Sequence, residues 1–215
     1  MKKIAVIGIG RFGSTLVKEL SKMKFEVLAI DNDEQRVNEI LPFAAHGLIL
    51  DSSNINSLID AGLKTFDTVV VGIGENIESS ILTTLLLKEI GVKNVIARAL
   101  NNYHGLILSK IGADKIVYPE QETGIKLAKI IASPILIDYI EMADGFAIVE
   151  MNVPDNMCNK PLSELELRAK YGINVVAIKR GSEINRIPGG NDILKKNDII
   201  LVSGQIDNIS KLKHL

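Results

Sequence analysis

Lys3-Ile4-Ala5-Val6-Ile7-Gly8-Ile9-Gly10-Arg11-Phe12-Gly13 decides the fold. A short apolar run ends in Gly-x-Gly-x-x-Gly, and Leu16, Val17, Leu20 and Met23 follow at helical spacing. The order is strand, tight turn, helix. Gly8 permits the turn, Gly10 lets a pyrophosphate approach the backbone, and Gly13 lets the helix lie close against the strand. The helix start offers unpaired N–H groups and the positive end of its dipole, a combination that suits an anion. A glycine triplet alone is a weak signal. Here the next apolar run, Phe25 to Ile30, ends in Asp31, and an acid at that place can accept hydrogen bonds from both ribose hydroxyls. Loop and acid together predict a nucleotide site rather than a chance cluster of turn glycines.

Residues 1–133 alternate strand and helix. Asp33 can cap a helix from Glu34 to Leu41, which Pro42 closes. Ala45 to Leu50 reads as a strand, Ser53 to Ala61 as a helix, and Thr68 to Ile73 as a uniformly apolar, fully covered strand. A long helix reaches Ile90, and Asn94 to Ala99 is a strand that contains Arg98. Tyr103 to Ile111 is helical, Lys115 to Tyr118 extended, and Pro119-Glu120 opens a further helix to Ala132. This rhythm predicts an α/β, Rossmann-like, doubly wound parallel sheet. Ligands of such sheets lie at the carboxyl ends of the strands. The residues there are Gly8 to Gly13, Asp31, Asp51, Gly72, Ile73, Gly74, Glu75, Arg98 and Glu120.

Residues 134–144 read as a linker or crossover helix, with Ile135 to Met142 apolar at helical spacing and Ala143-Asp144-Gly145 as the boundary. Residues 145–215 read as a small α+β module. In it Phe146 to Val153 alternates like a strand, Pro161 to Tyr171 is a helix, and Ile173 to Lys179, Ile184 to Ile187 and Asp198 to Ser203 are strands. A helix from Ile206 closes the chain.

Composition narrows the function classes. Hydrophobic residues are 47% and charged residues 24% of the 215, and the net charge of −1 offers no global field for nucleic acid or an anionic membrane. One cysteine, Cys158, excludes an internal disulfide framework. The first strand begins at once, the apolar stretch at Ile81–Leu87 is too short to cross a bilayer, and both point to a cytoplasmic protein without membrane insertion. His46, His104 and His214 fit no catalytic pattern and read as surface or packing residues.

The chain resembles the RCK family, the TrkA/KtrA-type regulators of potassium uptake. The resemblance rests on Gly8–Gly13, Leu82–Glu89, Lys110-Ile111-Gly112-Ala113-Asp114, Pro119-Glu120, and Arg168–Gly172 before Ile173–Lys179. It implies a TrkA-N domain, a TrkA-C domain, a homo-dimer, an octameric ring, and a membrane potassium transporter or channel subunit as partner. It implies ATP, ADP, AMP or NAD/NADH as the ligand of the first domain. It places Asp51-Ser52-Ser53 against the adenine, a divalent cation at Glu120, and cyclic di-AMP at Arg168, Ile173, Asn174 and Val175 of the second domain.

Several residues carry two readings. Arg11 is a solvated arginine, or a guanidinium aimed at a terminal phosphate of a neighbouring subunit. Asp31-Asn32 suits a free 2′-hydroxyl, since a 2′-phosphate would need a cation and Arg36 is the only close one. Asp51 caps a helix or meets the adenine, with Ser53 the rival cap. Arg98 ends a buried strand and requires either a phosphate or a carboxylate. Glu120 serves the helix dipole or a hard cation. The alternative function is an NAD-dependent oxidoreductase. A DNA-binding redox repressor is a third reading, and the balanced charge argues against it.

Overall fold

The computed structural model describes residues 2–212, with Ala143 by its backbone alone. These residues form two compact units, one ending at Glu122 and the other beginning at Thr123.

The first unit runs β1 (Lys3–Ile7), α1 (Arg11–Lys22), β2 (Glu26–Asp31), α2 (Glu34–Ile40), β3 (His46–Ile49), α3 (Ile55–Asp60), β4 (Thr68–Val71), α4 (Ile77–Glu89), β5 (Val95–Arg98), α5 (Asn102–Lys110) and β6 (Lys115–Val117). Its six strands are parallel in the order β3-β2-β1-β4-β5-β6, the doubly wound arrangement the alternating pattern predicts. Successive side chains of a strand point to opposite faces, so each strand serves two cores. Ala5, Ile7, Leu28, Ile30, Val69 and Val71 pack with Leu58, Leu87 and Leu108 of α3, α4 and α5. Val6, Val27, Ala29 and Val70 pack on the other face with Val17 of α1 and Ile40 of α2. The strand order reverses between β1 and β4, which opens a crevice above their carboxyl ends.

Asp33 caps α2, accepting from the N–H groups of Gln35 and Arg36. The cap of α3 is Asn54, neither Asp51 nor Ser53. The Asp51 carboxylate instead folds back on the N–H and hydroxyl of Ser53 in an Asx turn, and the helix begins at Ile55, two residues after the expected Ser53.

α6 (Pro119–Ala132) begins in the first unit and continues into the second. The second unit then runs β7 (Leu136–Ala143), β8 (Phe146–Asn152), α7 (Leu162–Leu165), α8 (Leu167–Tyr171), β9 (Asn174–Arg180), β10 (Glu183–Asn185), β11 (Ile199–Gln205) and α9 (Ile206–Lys211). Its sheet, ordered β10-β9-β11-β8-β7, is antiparallel and packs Val149, Met151, Ile178, Ile200 and Val202 into a separate core with Leu167 and Ile209.

Here the crossover helix expected over 134–144 is a strand, β7. The segment is rich in isoleucine with one tyrosine, side chains that fit a pleated surface. Asp144 and Gly145, with φ of 50° and 76°, form the two-residue turn of a β7–β8 hairpin. The helix expected over Pro161–Tyr171 breaks in two at Glu166, whose φ is 48°. Cys158 packs beside this core, and His214 lies outside the described residues.

Asp198 is 1% exposed and accepts from Arg180 Nε at 2.8 Å and Nη2 at 2.6 Å, and from the Lys195 N–H at 2.8 Å. The Arg180 hydrogen bond, with help from that N–H, holds its carboxyl below the ordinary 3.8. The stabilisation is therefore complete at neutral pH and fades only as acid protonates Asp198 below its unfolded pKa. Asp198→Asn is expected to cost roughly 1.5–3 kcal/mol at pH 7, at the range for hydrogen bonds to a charged group, because half-exposed Arg180 regains water. Urea unfolding at pH 7 and pH 3 checks this: the gap between variant and wild type should narrow at the lower pH.

Candidate nucleotide-binding cleft

The glycine loop is held from three sides. Gly8 has φ +90°, and a Cβ on it would lie 2.9 Å from the Ile73 nitrogen. Its N–H donates to the Ile30 carbonyl at 2.8 Å, and the Gly72 N–H donates to the Ile7 carbonyl at 2.7 Å. A Cβ on Gly13 would come 2.0 Å from the Gly8 carbonyl oxygen, so this glycine sets how closely α1 approaches β1. Gly10 differs from both. Its φ is −71° and a Cβ there would meet nothing within 4 Å. The fold would accept a side chain at Gly10; a ligand approaching the backbone would not. The N–H groups of Arg11, Phe12 and Gly13 find no acceptor among the described residues, as expected of a first helical turn that faces an anion.

A cleft of 390 Å³ opens beside this loop. It is lined by Gly8, Gly10, Arg11 and Phe12 after β1, and by Asp31, Asn32 and Arg36 after β2. Asp51 and Ser52 follow β3, Gly72, Ile73, Gly74 and Glu75 follow β4, and Arg98 and Glu120 close the far side. Three expected site residues stay off the wall. Ile9 buries its side chain in the α1-side core and gives its N–H to Asp31, Gly13 is used against Gly8, and Ser53 turns to Asp51. Ile7, Leu50, Asn76 and Ser79 line the cleft without having been singled out. The sequence carried a signal for one pair: Asn76 three residues before Ser79 is an N-cap pattern, and its side chain accepts from the Ser79 N–H at 3.0 Å.

The two ends of the cleft differ in charge. At one end Asp31, 5% exposed, accepts from Ile9 N–H at 2.6 Å and Asp33 N–H at 3.0 Å. Arg36 stands 4.0 Å from Asp31, 3.6 Å from Asp33 and 3.6 Å from Glu75, three carboxylates around one guanidinium. Asp51 is held below the ordinary aspartate value by the Ser53 hydroxyl and N–H. Ser52 is buried with its hydroxyl 2.8 Å from that of Thr83.

At the other end Arg11 makes no ion pair among the described residues, while Arg98 donates from Nη2 to Glu120 Oε1 at 2.5 Å. The Arg98 guanidinium lies 6.0 Å from the centroid of the Phe12 ring and fills the space beside Gly74, where a Cβ would come 2.0 Å from Nη1. Its Nε is buried without a partner, which costs about 1–3 kcal/mol. Of the two partners the sequence left open for Arg98, the carboxylate is the one present.

The donor set suits a nucleotide. Glu120 spends its carboxylate on Arg98, and no group of three His, Cys, Asp or Glu residues converges among the described residues. His104 is buried off the cleft, its Nδ1 accepting from the Leu100 N–H at 3.3 Å, and burial pushes its pKa down. His46 is exposed on β3.

Fold and cleft define a Rossmann-type nucleotide-binding domain carrying a small α+β domain. The TrkA-N domain family matches residues 4–119 and the TrkA-C domain family residues 146–215, and the chain belongs to this TrkA/Ktr potassium uptake family. It is 45% identical to Ktr system potassium uptake protein C of Bacillus subtilis, over 99% of this chain and 96% of that protein. It is 36% identical to Ktr system potassium uptake protein A of Vibrio alginolyticus, over 100% and 98%. Among solved structures, the GsuK channel bound to NAD shares the fold, with a TM-score of 0.69 at 15% identity over 100% of this chain and 39% of the channel chain.

Gly74→Ala is expected to leave the fold intact, because the atom it meets is the end of a long side chain. It should displace Arg98 from the cleft and weaken ADP binding by roughly 1–2 kcal/mol, the scale of one charge-assisted hydrogen bond. Calorimetry on a variant of unchanged melting temperature checks it, and unchanged affinity would remove Arg98 from the site.

Proposed function

We propose that the chain is the nucleotide-gated regulatory subunit of a potassium uptake system, acting from the cytoplasm and peripheral to the inner membrane on a transporter or channel subunit. The observation that carries this is a cleft with a buried acid at one end, and free amides with two arginines at the other, in a chain that matches Ktr proteins along nearly their whole length. Its ligand is ATP, ADP or AMP, or NAD/NADH. Asp31 receives the ribose, Asp51 and Ser52 flank the adenine, and the α1 amides receive the phosphates.

Ktr-type regulation requires distinct contacts for distinct ligands, since equal affinity in two states shifts nothing. ATP and ADP share everything but the third phosphate, and Arg11 is the loop's only cation. It is exposed and able to reach a phosphate held by a neighbouring protomer. A homo-oligomer, a dimer or octameric ring, is favoured by exposed apolar side chains: Tyr103 and Leu106 on α5, Ile131 on α6, Ile140 and Met142 on β7. A divalent cation at Glu120 would draw its remaining oxygens from bound phosphate. In the second unit β10 pairs with β9 only from Ile178 onward, so the edge at Asn174 and Val175, beside Ile173 and exposed Arg168, is open to a base of cyclic di-AMP.

An NAD-dependent oxidoreductase is the competing reading. Incubation with NADH and carbonyl substrates decides between them: the regulator is expected to bind nucleotides and give no turnover. Within the regulatory reading, Arg11→Ala should narrow the ATP/ADP affinity gap by up to roughly 1–3 kcal/mol and leave AMP nearly unchanged, the range for a charge-assisted bond. Equal loss for all three nucleotides would make Arg11 a general contact. Light scattering at micromolar protein should report an oligomer, and a monomer would count against the proposal.

A further inference from the structure

One ion pair in the cleft joins two groups that differ sharply in their access to water. The Arg98 side chain is 16% exposed and that of Glu120 is 63% exposed. Arg98 ends a sheet strand with its guanidinium set between Phe12 and Gly74, largely shielded from water. A charge confined in this way needs an anion beside it. A carboxylate as exposed as Glu120 regains its water at small cost. Arg98 must therefore keep a counter-ion, while Glu120 can leave.

The pairing is also incomplete. Glu120 takes one Nη proton at 2.5 Å, and the Nε proton has no acceptor. A phosphate has more acceptor oxygens and matches the guanidinium fork better than one carboxylate oxygen does. The first-turn amides of α1, without an acceptor among the described residues, face the same cleft and suit such a group.

We propose that Glu120 is an internal counter-ion for Arg98, standing where a ligand phosphate belongs, and that a phosphate of the bound adenine nucleotide displaces it. The proposal rests on the nucleotide reading above and adds what the phosphate does. Glu120 lies in the first turn of α6, whose Glu122 N–H donates to the Tyr118 carbonyl at 2.9 Å and whose Glu122 carboxylate accepts from the Tyr118 N–H at 3.3 Å. These local bonds remain when Glu120 lets go, but the side-chain tie from this turn to the end of β5 is lost. A phosphate is thereby converted into a looser start of the helix that leaves the nucleotide-binding unit. Adenosine, which lacks a phosphate, leaves the pair closed.

The test uses the full chain, in EDTA so that no divalent cation contributes, at one salt concentration. Glu120→Gln, at an exposed position, removes the competing charge and keeps the shape. It is expected to bind ADP about tenfold tighter than wild type, the scale of one charged hydrogen bond, with adenosine affinity unchanged. In the wild type, ADP and not adenosine should speed hydrogen exchange at the amides of Thr123 and Gly124, while that of Glu122, held by Tyr118, stays protected. ADP affinity that Glu120→Gln leaves equal or weakens overturns the counter-ion role and leaves the nucleotide site standing. A wild type that binds no adenine nucleotide overturns the site reading and this proposal with it.

Discussion

The carboxylate of Asp31 is the constraint on which the cleft depends. One oxygen takes the Ile9 N–H and the other the Asp33 N–H, so a single side chain joins the glycine loop after β1 to the start of α2 after β2. The parallel register of β1 and β2 fixes where the loop begins; Asp31 fixes how it leaves the sheet. Burying an unpaired carboxylate would be costly, and the two backbone donors are what make its burial tolerable. Each carboxylate oxygen keeps a further acceptor site, so holding the loop does not consume its capacity for ribose hydroxyls. The acid is thus a structural group with acceptor capacity left over for a ligand.

From that pivot the cleft divides into two ends of different charge. Asp31, Asp33 and Glu75 surround Arg36 at one end and leave an excess of negative charge, which disfavours a 2′-phosphate and suits free hydroxyls. At the other end the α1 amides, Arg11 and Arg98 supply positive charge, offset in part by Glu120. Gly10 and Gly74 serve that end in different ways. Gly10 leaves the loop backbone bare, and Gly74 leaves room for the Arg98 guanidinium.

Much of this was legible in the residues. The glycine spacing and Asp31 located the loop and the acid because each answers to one local requirement. The helix caps were less secure: Asp51, Ser53 and Asn54 are all competent, and only the path of the chain out of β3 selects Asn54. Ile135 to Met142 fits helical spacing as well as alternation, so its periodicity does not separate a helix from β7. The Asp144-Gly145 pair, a hairpin signal between two apolar runs, favours the strand. Ile9 looked like a site residue from its place in the motif, yet its side chain belongs to the core and its N–H to Asp31. That Glu120 would meet Arg98, 22 residues away in sequence, depends on the sheet order and could not be read locally.

The most direct test of the account is to measure ADP affinity and melting temperature together in Asp31→Ala. A residue that serves both loop and ligand predicts a folded but less stable variant, with ADP binding weakened by roughly 1.5–3 kcal/mol, the range for hydrogen bonds to a charged group. A folded Asp31→Ala variant that binds ADP as tightly as the wild type would contradict it.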